Sequence, residues 1–158
     1  MMDTLALFLL SPVLFAVAYF DLRYLRIPNW LVLTAIGLFA LTLPAIGWQE
    51  AGFRILVSVF VLMLGFTLFV LNLFGGGDVK MMAALLLFVP SGSYTEFAFG
   101  FSAAMVIGIL GVSVIRSMPV LAGSTWAFAR QTKSFPMGVS IAMCGLSHPF
   151  VLIGTSAV

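Results

Sequence analysis

The run ILVSVFVLMLGFTLFVLNLF at residues 55–74 holds no charged side chain and leads directly into GGGDVK at residues 75–80. About twenty apolar residues in succession are what a helix needs to cross ~30 Å of hydrocarbon. The glycines that follow are poor helix residues, because each loses the most backbone freedom on being fixed. An apolar crossing that stops at a sharp bend carrying Asp78 is therefore the element from which the rest is read.

Working outward, five further apolar runs appear: Leu5–Phe20, Trp30–Trp48, Val79–Val89, Phe97–Ile115 and Phe135–Val158. The pattern predicts an all-α polytopic membrane protein, a bundle of six transmembrane helices forming one membrane-embedded domain over residues 1–158. Val79–Val89 is the shortest. Eleven residues of helix reach only ~16 Å, so its outer end is expected to continue through the Ser91–Tyr94 turn inside the bundle, where irregular backbone is tolerated. Ala16-Val17-Ala18 resembles a signal-peptide cleavage site. The residues before that run carry Asp3 and no Lys or Arg, however, so it reads as a retained helix.

Composition agrees. Of 158 residues 63% are hydrophobic and 8% charged, with seven Lys or Arg, five Asp or Glu and one His; mean hydropathy is +1.23. A soluble domain is about one quarter charged, so the solvent here is mostly lipid. The pI near 9 comes with no basic face that would serve nucleic acid. The single cysteine, Cys144, excludes an intrachain disulfide and a Cys-based zinc cluster. No metal or cofactor is implied.

With six crossings, Arg23, Arg26, Lys80, Arg116, Arg130 and Lys133 fall on one face, and Arg54 stands alone on the other with Asp3, Glu50 and Glu96. Basic residues collect on the cytoplasmic side. That face is expected to be cytoplasmic, with both termini outside. The stretch Ser117–Ser134, bearing Trp126, Phe128, Arg130 and Lys133, suits a segment lying at the interface. Gln49 and Asn72 read as interfacial polar residues, and His148 as a satisfied bundle residue at a kink beside Pro149.

Ionisable groups at membrane segments are costly and point to function. Asp3, Glu50 and Glu96 fall at outer ends, where a carboxylate is solvated. Asp21 ends the first run and Asp78 begins the fourth, on the same face. Two such carboxyls brought together share one proton and activate water. The bland alternative is that they mark helix ends as ion pairs with Arg23 and Lys80. Asp21 lies at a helix C-terminus and Asp78 at an N-terminus, so the macrodipoles predict Asp78 as the ionised partner and Asp21 as the proton holder. Pro28 is placed to start the second helix, and Asn29 to cap it or bond near Asp21. Gly75, Gly76 and Gly77 suit either the approach of an extended peptide or a tight interhelical turn.

At these residues the sequence resembles the type IV prepilin peptidase family, the membrane aspartic proteases with a Gly-x-Gly-Asp motif. Gly75-Gly76-Gly77-Asp78 matches that motif, with Val79-Lys80 continuing it. Asp21-x-Arg23-x-x-x-Ile27-Pro28-Asn29 matches the first aspartate motif, and Phe135-Pro136-Met137-Gly138-Val139 resembles the Pro-x-Gly start of the final helix. Met81-Met82 stand where the family often has Leu, and Met137 where an aromatic is common. The resemblance implies cleavage of prepilin leader peptides after a Gly at the cytoplasmic side of a prokaryotic inner membrane, with Asp21 and Asp78 as the catalytic pair. Gly75, Gly76, Gly77, Lys80, Arg23, Pro28 and Asn29 would support it or admit substrate. The partners implied are the prepilin leader with its N-terminal helix, and the lipid bilayer. Paired cysteines and the N-methyltransferase insertion of the long members are absent, so the chain is similar to the short form of Flp, or tight-adherence, pilus systems; archaeal preflagellin peptidases share its layout. Two other readings use the same residues: a small proton- or cation-coupled transporter, and a non-catalytic subunit of pilus or secretion assembly.

Overall fold

The computed structural model describes residues 2–118, 125–130 and 135–156. Among them the chain is all-helical: α1 (Met2–Tyr24), α2 (Asn29–Ile46), α3 (Trp48–Val70), α4 (Gly76–Leu86), a 3-10 turn (Ser91–Ser93), α5 (Tyr94–Ser117), the short α6 (Ala127–Arg130) and α7 (Met137–Ser156). Five of these, α1, α2, α3, α5 with the preceding turn, and α7, are long and apolar enough to cross a membrane. The fourth run is the short one among the six expected, and its outer end continues through the turn as its length predicts. It folds as an 11-residue helix, about 16 Å long, and the passage is completed by residues 87–90 and the 3-10 turn.

Burial explains why a short element suffices there. Met81, Leu85, Phe88 and Val89 are fully buried, with α2, α3 and α7 packed around α4. Protein, not lipid, covers its frayed outer end.

The helix ends differ from the hydropathy limits for local reasons. α1 runs past Asp21 to Tyr24, where Leu25 at φ 51° turns the chain out of the helix. α3 stops at Val70 rather than Phe74, because Asn72 adopts φ 58° and donates its N–H to the Phe69 carbonyl at 2.9 Å. Asn is among the few residues that enter this left-handed conformation readily. α3 also starts earlier than Ile55, so that Glu50 and Arg54 lie within it.

Those two residues correct the expectation that Asp3 and Glu50 are simply solvated. Arg54 is 1% exposed; its Nη2 donates to Asp3 Oδ1 at 2.7 Å and its Nε to Glu50 Oε1 at 2.8 Å. Glu50 in turn accepts the Ser91 N–H and hydroxyl, both at 2.8 Å. A buried guanidinium requires such partners, and here they tie α1, α3 and the turn after α4 together at one end of the bundle. Nearby, His148 is buried and its Nε2 lies 3.0 Å from Ser93 Oγ, a satisfied bundle residue as expected.

At the opposite end, Trp126 packs edge-on against Tyr19 at 5.9 Å, and Arg116 Nε donates to the Phe128 carbonyl at 2.8 Å. These contacts dock α6 on α1 and α5. Lys133 and the other parts of the interfacial stretch at 119–124 and 131–134 lie outside the described residues.

Candidate active site

On α1 the buried residues Leu7, Leu10, Leu14 and Val17 follow one another at three- and four-residue steps, and the next step lands on Asp21. Steps of three and four place side chains on one face of a helix. Asp21 therefore continues an apolar stripe and is 3% exposed. This stripe faces α7, whose first turn meets the carboxyl at Gly138. The approach is close enough that a Cβ on Gly138 would stand 2.8 Å from Asp21 Oδ2 and 2.9 Å from its Cγ.

Asp78 arrives from the other side. Pro28 holds extended backbone (φ −66°, ψ 142°) at the N-cap of α2, one residue before the helical turn in which it was expected, and leaves Ile27 buried. A Cβ on Gly77 would lie 3.1–3.3 Å from the Cβ, carbonyl and N of Ile27. Absence of a side chain at Gly77 is thus what lets the α1–α2 connection rest on the first turn of α4. Gly75 caps that turn, and a Cβ there would sit 2.5 Å from Asp78 Oδ2. Gly76 faces the Phe69 ring, 3.2 Å from the position of its absent Cβ. All three glycines are closely approached by the chain's own atoms.

Asp21 and Asp78 are consequently brought together, and both line two adjoining cavities. One, of about 740 Å³, is bounded further by Ile27, Pro28, Asn29, Phe69 and the three glycines. The other, of about 690 Å³, is bounded by Asn72, Phe74, Met105, Phe135 and Met137. Both sizes suit a short peptide segment or small ligand. Asp21 Oδ2 and Asp78 Oδ1 are buried with no hydrogen-bond partner. Unpaired buried carboxyl oxygens are expensive to keep, and two of them stand here at one site. Asp78 precedes the fourth apolar run; burial first, and the charge of Asp21 second, push its carboxyl up from 3.8 to about 7.

The remaining sequence candidates take other roles. Lys80 Nζ donates to Asn29 Oδ1 at 3.1 Å, which replaces the ion pair with Asp78 and the bond from Asn29 toward Asp21 that the sequence suggested. Arg23 turns away from Asp21: its Nε donates to the Tyr24 hydroxyl at 3.1 Å, and its guanidinium stacks near Tyr19, Tyr24 and Trp126 at 5.6–6.0 Å. Neither cation sits on a carboxylate. Arg26 was read only as part of the basic face, yet it lines both cavities with Tyr24. Gly138 was legible as part of a Pro-x-Gly helix start, but nothing local tied it to Asp21.

The model of the type IV leader peptidase family matches residues 8–114, a span that includes both aspartates and the glycine run. The chain belongs to this family of peptidases. No curated protein matches it, and no solved structure does.

Proposed function

We propose that the protein is a membrane aspartic endopeptidase that removes the leader peptide of type IV, Flp-like prepilins at the cytoplasmic face of a prokaryotic inner membrane. The observation that carries this reading is the pair of buried carboxyls, Asp21 and Asp78, that line the same two cavities and each keep one oxygen unpaired.

The chemistry follows from one proton shared between two carboxyls. The ionised carboxylate takes a proton from water as its oxygen attacks the scissile carbonyl carbon. The protonated partner gives its proton to the carbonyl oxygen, and a gem-diol forms. As the C–N bond breaks, the first carboxyl passes its proton to the leaving nitrogen, and a diol hydroxyl returns one to the second. Both groups end as they began, and no metal is required.

The orientation rests on the basic residues. Arg23, Arg26 and Lys80 share the end of the bundle that holds the aspartates, whereas Arg54 lies at the other end with Asp3 and Glu50. This bias supports a cytoplasmic position for the aspartate end. The single cysteine, Cys144, is buried and provides no paired cysteines, consistent with a short form that cleaves without methylating.

Co-expression with a Flp-like prepilin tests the reading. Wild-type protein should convert the precursor to the shorter mature form on a gel. Asp21→Asn and Asp78→Asn should each abolish conversion, a loss of at least ~10³-fold. Cleavage that survives both substitutions would refute the pair, and a transporter would leave the pilin uncut.

A further inference from the structure

Among the described residues that line the two aspartate cavities, Arg26 is the only cation, and it borders both, as the two aspartates do. It is exposed, and its guanidinium forms no ion pair or hydrogen bond with any described residue. The neighbouring cations are engaged elsewhere. Arg23 Nε donates to the Tyr24 hydroxyl, and Lys80 Nζ donates to Asn29 Oδ1.

The backbone beneath Arg26 is held from both sides. Leu25 stands at φ 51° and donates its N–H to the Asp21 carbonyl at 2.8 Å. A branched aliphatic residue enters that left-handed region against steric resistance, and such strain persists where the surroundings over-determine it. On the other side Ile27 is buried, and Gly77 rests on it so closely that a Cβ there would lie 3.1–3.3 Å from its Cβ, carbonyl and N. Arg26 therefore stands between a residue bonded to one aspartate and a residue clamped by the glycine before the other. The contacts that bring the two carboxyls together also fix its place. A cation that only marks the cytoplasmic face needs no such fixing.

We propose that Arg26 is a specificity residue of this site and pairs with an acidic side chain of the substrate close to the scissile bond. This rests on the catalytic reading of the aspartates given above. A guanidinium presents a planar fork of donors that matches a carboxylate. A sphere with the volume of the first cavity is about 11 Å across, the length of about three residues of extended chain or about seven of helix. The acid therefore lies within about seven residues of the bond that is cleaved. Arg26 stands at the exposed rim and not on the reacting carbonyl, so it acts in binding, and its loss is read in KM rather than in kcat.

The test is the kinetics of cleavage of a Flp-like prepilin by the full-length protein in nonionic detergent. Arg26→Gln should raise KM roughly tenfold and leave kcat within about threefold. Arg26→Lys, which keeps the charge and loses the fork, should fall between it and wild type. On the prepilin, one acid within about seven residues of the cleaved bond, changed to its amide, should raise KM by the same factor with wild-type enzyme and add nothing with Arg26→Gln. Changing that acid to Lys should restore cleavage by Arg26→Glu at least about tenfold. The prepilin variants probe the pairing on unaltered enzyme, whatever a substitution at Arg26 does to folding. Losses that add in the double variant overturn the proposal, as does a cleaved prepilin in which no acid of that window matters. A defect of Arg26→Gln that is absent in detergent and appears only in vesicles containing anionic phospholipid gives Arg26 to lipid phosphate and overturns it too. Cleavage that persists in both Asp21→Asn and Asp78→Asn sinks the catalytic reading itself; additive losses with those two variants inactive sink the role of Arg26 alone.

Discussion

Asp78 illustrates how little of a residue's chemistry is local. Its sequence neighbours are glycines and a lysine, a setting that on its own suggests an exposed, paired acid. Its carboxyl is instead pushed up to about 7, by burial first and by Asp21 second. An acid whose folded value exceeds its unfolded one is bound to its proton more tightly in the native state. Its destabilising effect is absent below about 4 and grows as pH rises to about 7. The unfolding temperature of the wild-type protein in detergent should therefore fall between about pH 4 and pH 7, and Asp78→Asn should flatten that fall. An unchanged slope would mean that Asp78 is not the group responsible. The glycines separate by the same spatial logic. Gly77→Ala puts a methyl against Ile27 backbone, whereas Gly76→Ala meets only the edge of the Phe69 ring. Cleavage should drop at least about tenfold in Gly77→Ala, equivalent to ~1.4 kcal/mol in the barrier, and stay within about threefold in Gly76→Ala. Equal effects would remove the claim that Gly77 sets the meeting of the two aspartate segments.

At the scale of elements, hydropathy located the crossings but misplaced their ends. α3 begins seven residues before the apolar run because Glu50 and Arg54 find partners inside the bundle, and it ends before Phe74 because Asn72 turns left-handed. Neither partner could be read from a window of sequence: Asp3 lies 51 residues from Arg54, and Ser91 lies 41 from Glu50. This polar tie fixes the outer end of α4, where regular helix has already stopped. Glu50→Ala leaves Arg54 with Asp3 alone and releases Ser91. The expected loss is about 1–3 kcal/mol, visible as a lower unfolding temperature, with a smaller effect on cleavage because the aspartates lie at the other end. A variant as stable as wild type would show the tie to be dispensable.

For the whole molecule the testable matter is its direction in the membrane. Single cysteines at Arg26 and at Gln49, in a Cys144→Ala background, should react with an impermeant maleimide from opposite sides. Arg26→Cys should label only when the cytoplasmic face is open, and Gln49→Cys only from outside. Labelling of both from one side would undo the assignment of faces. The sequence by itself determined the solvent, the order of the crossings and the placing of two acids at one end of them. Those properties follow from how each segment partitions between lipid and water, a sum taken along the chain. Only the tertiary structure decided that the shortest crossing is the most enclosed, that Arg54 is buried between two carboxylates, and that the N-terminus of α7 lies against Asp21. Each of these depends on which helices lie side by side, and a buried polar group finds its partner across such a contact rather than along its own helix.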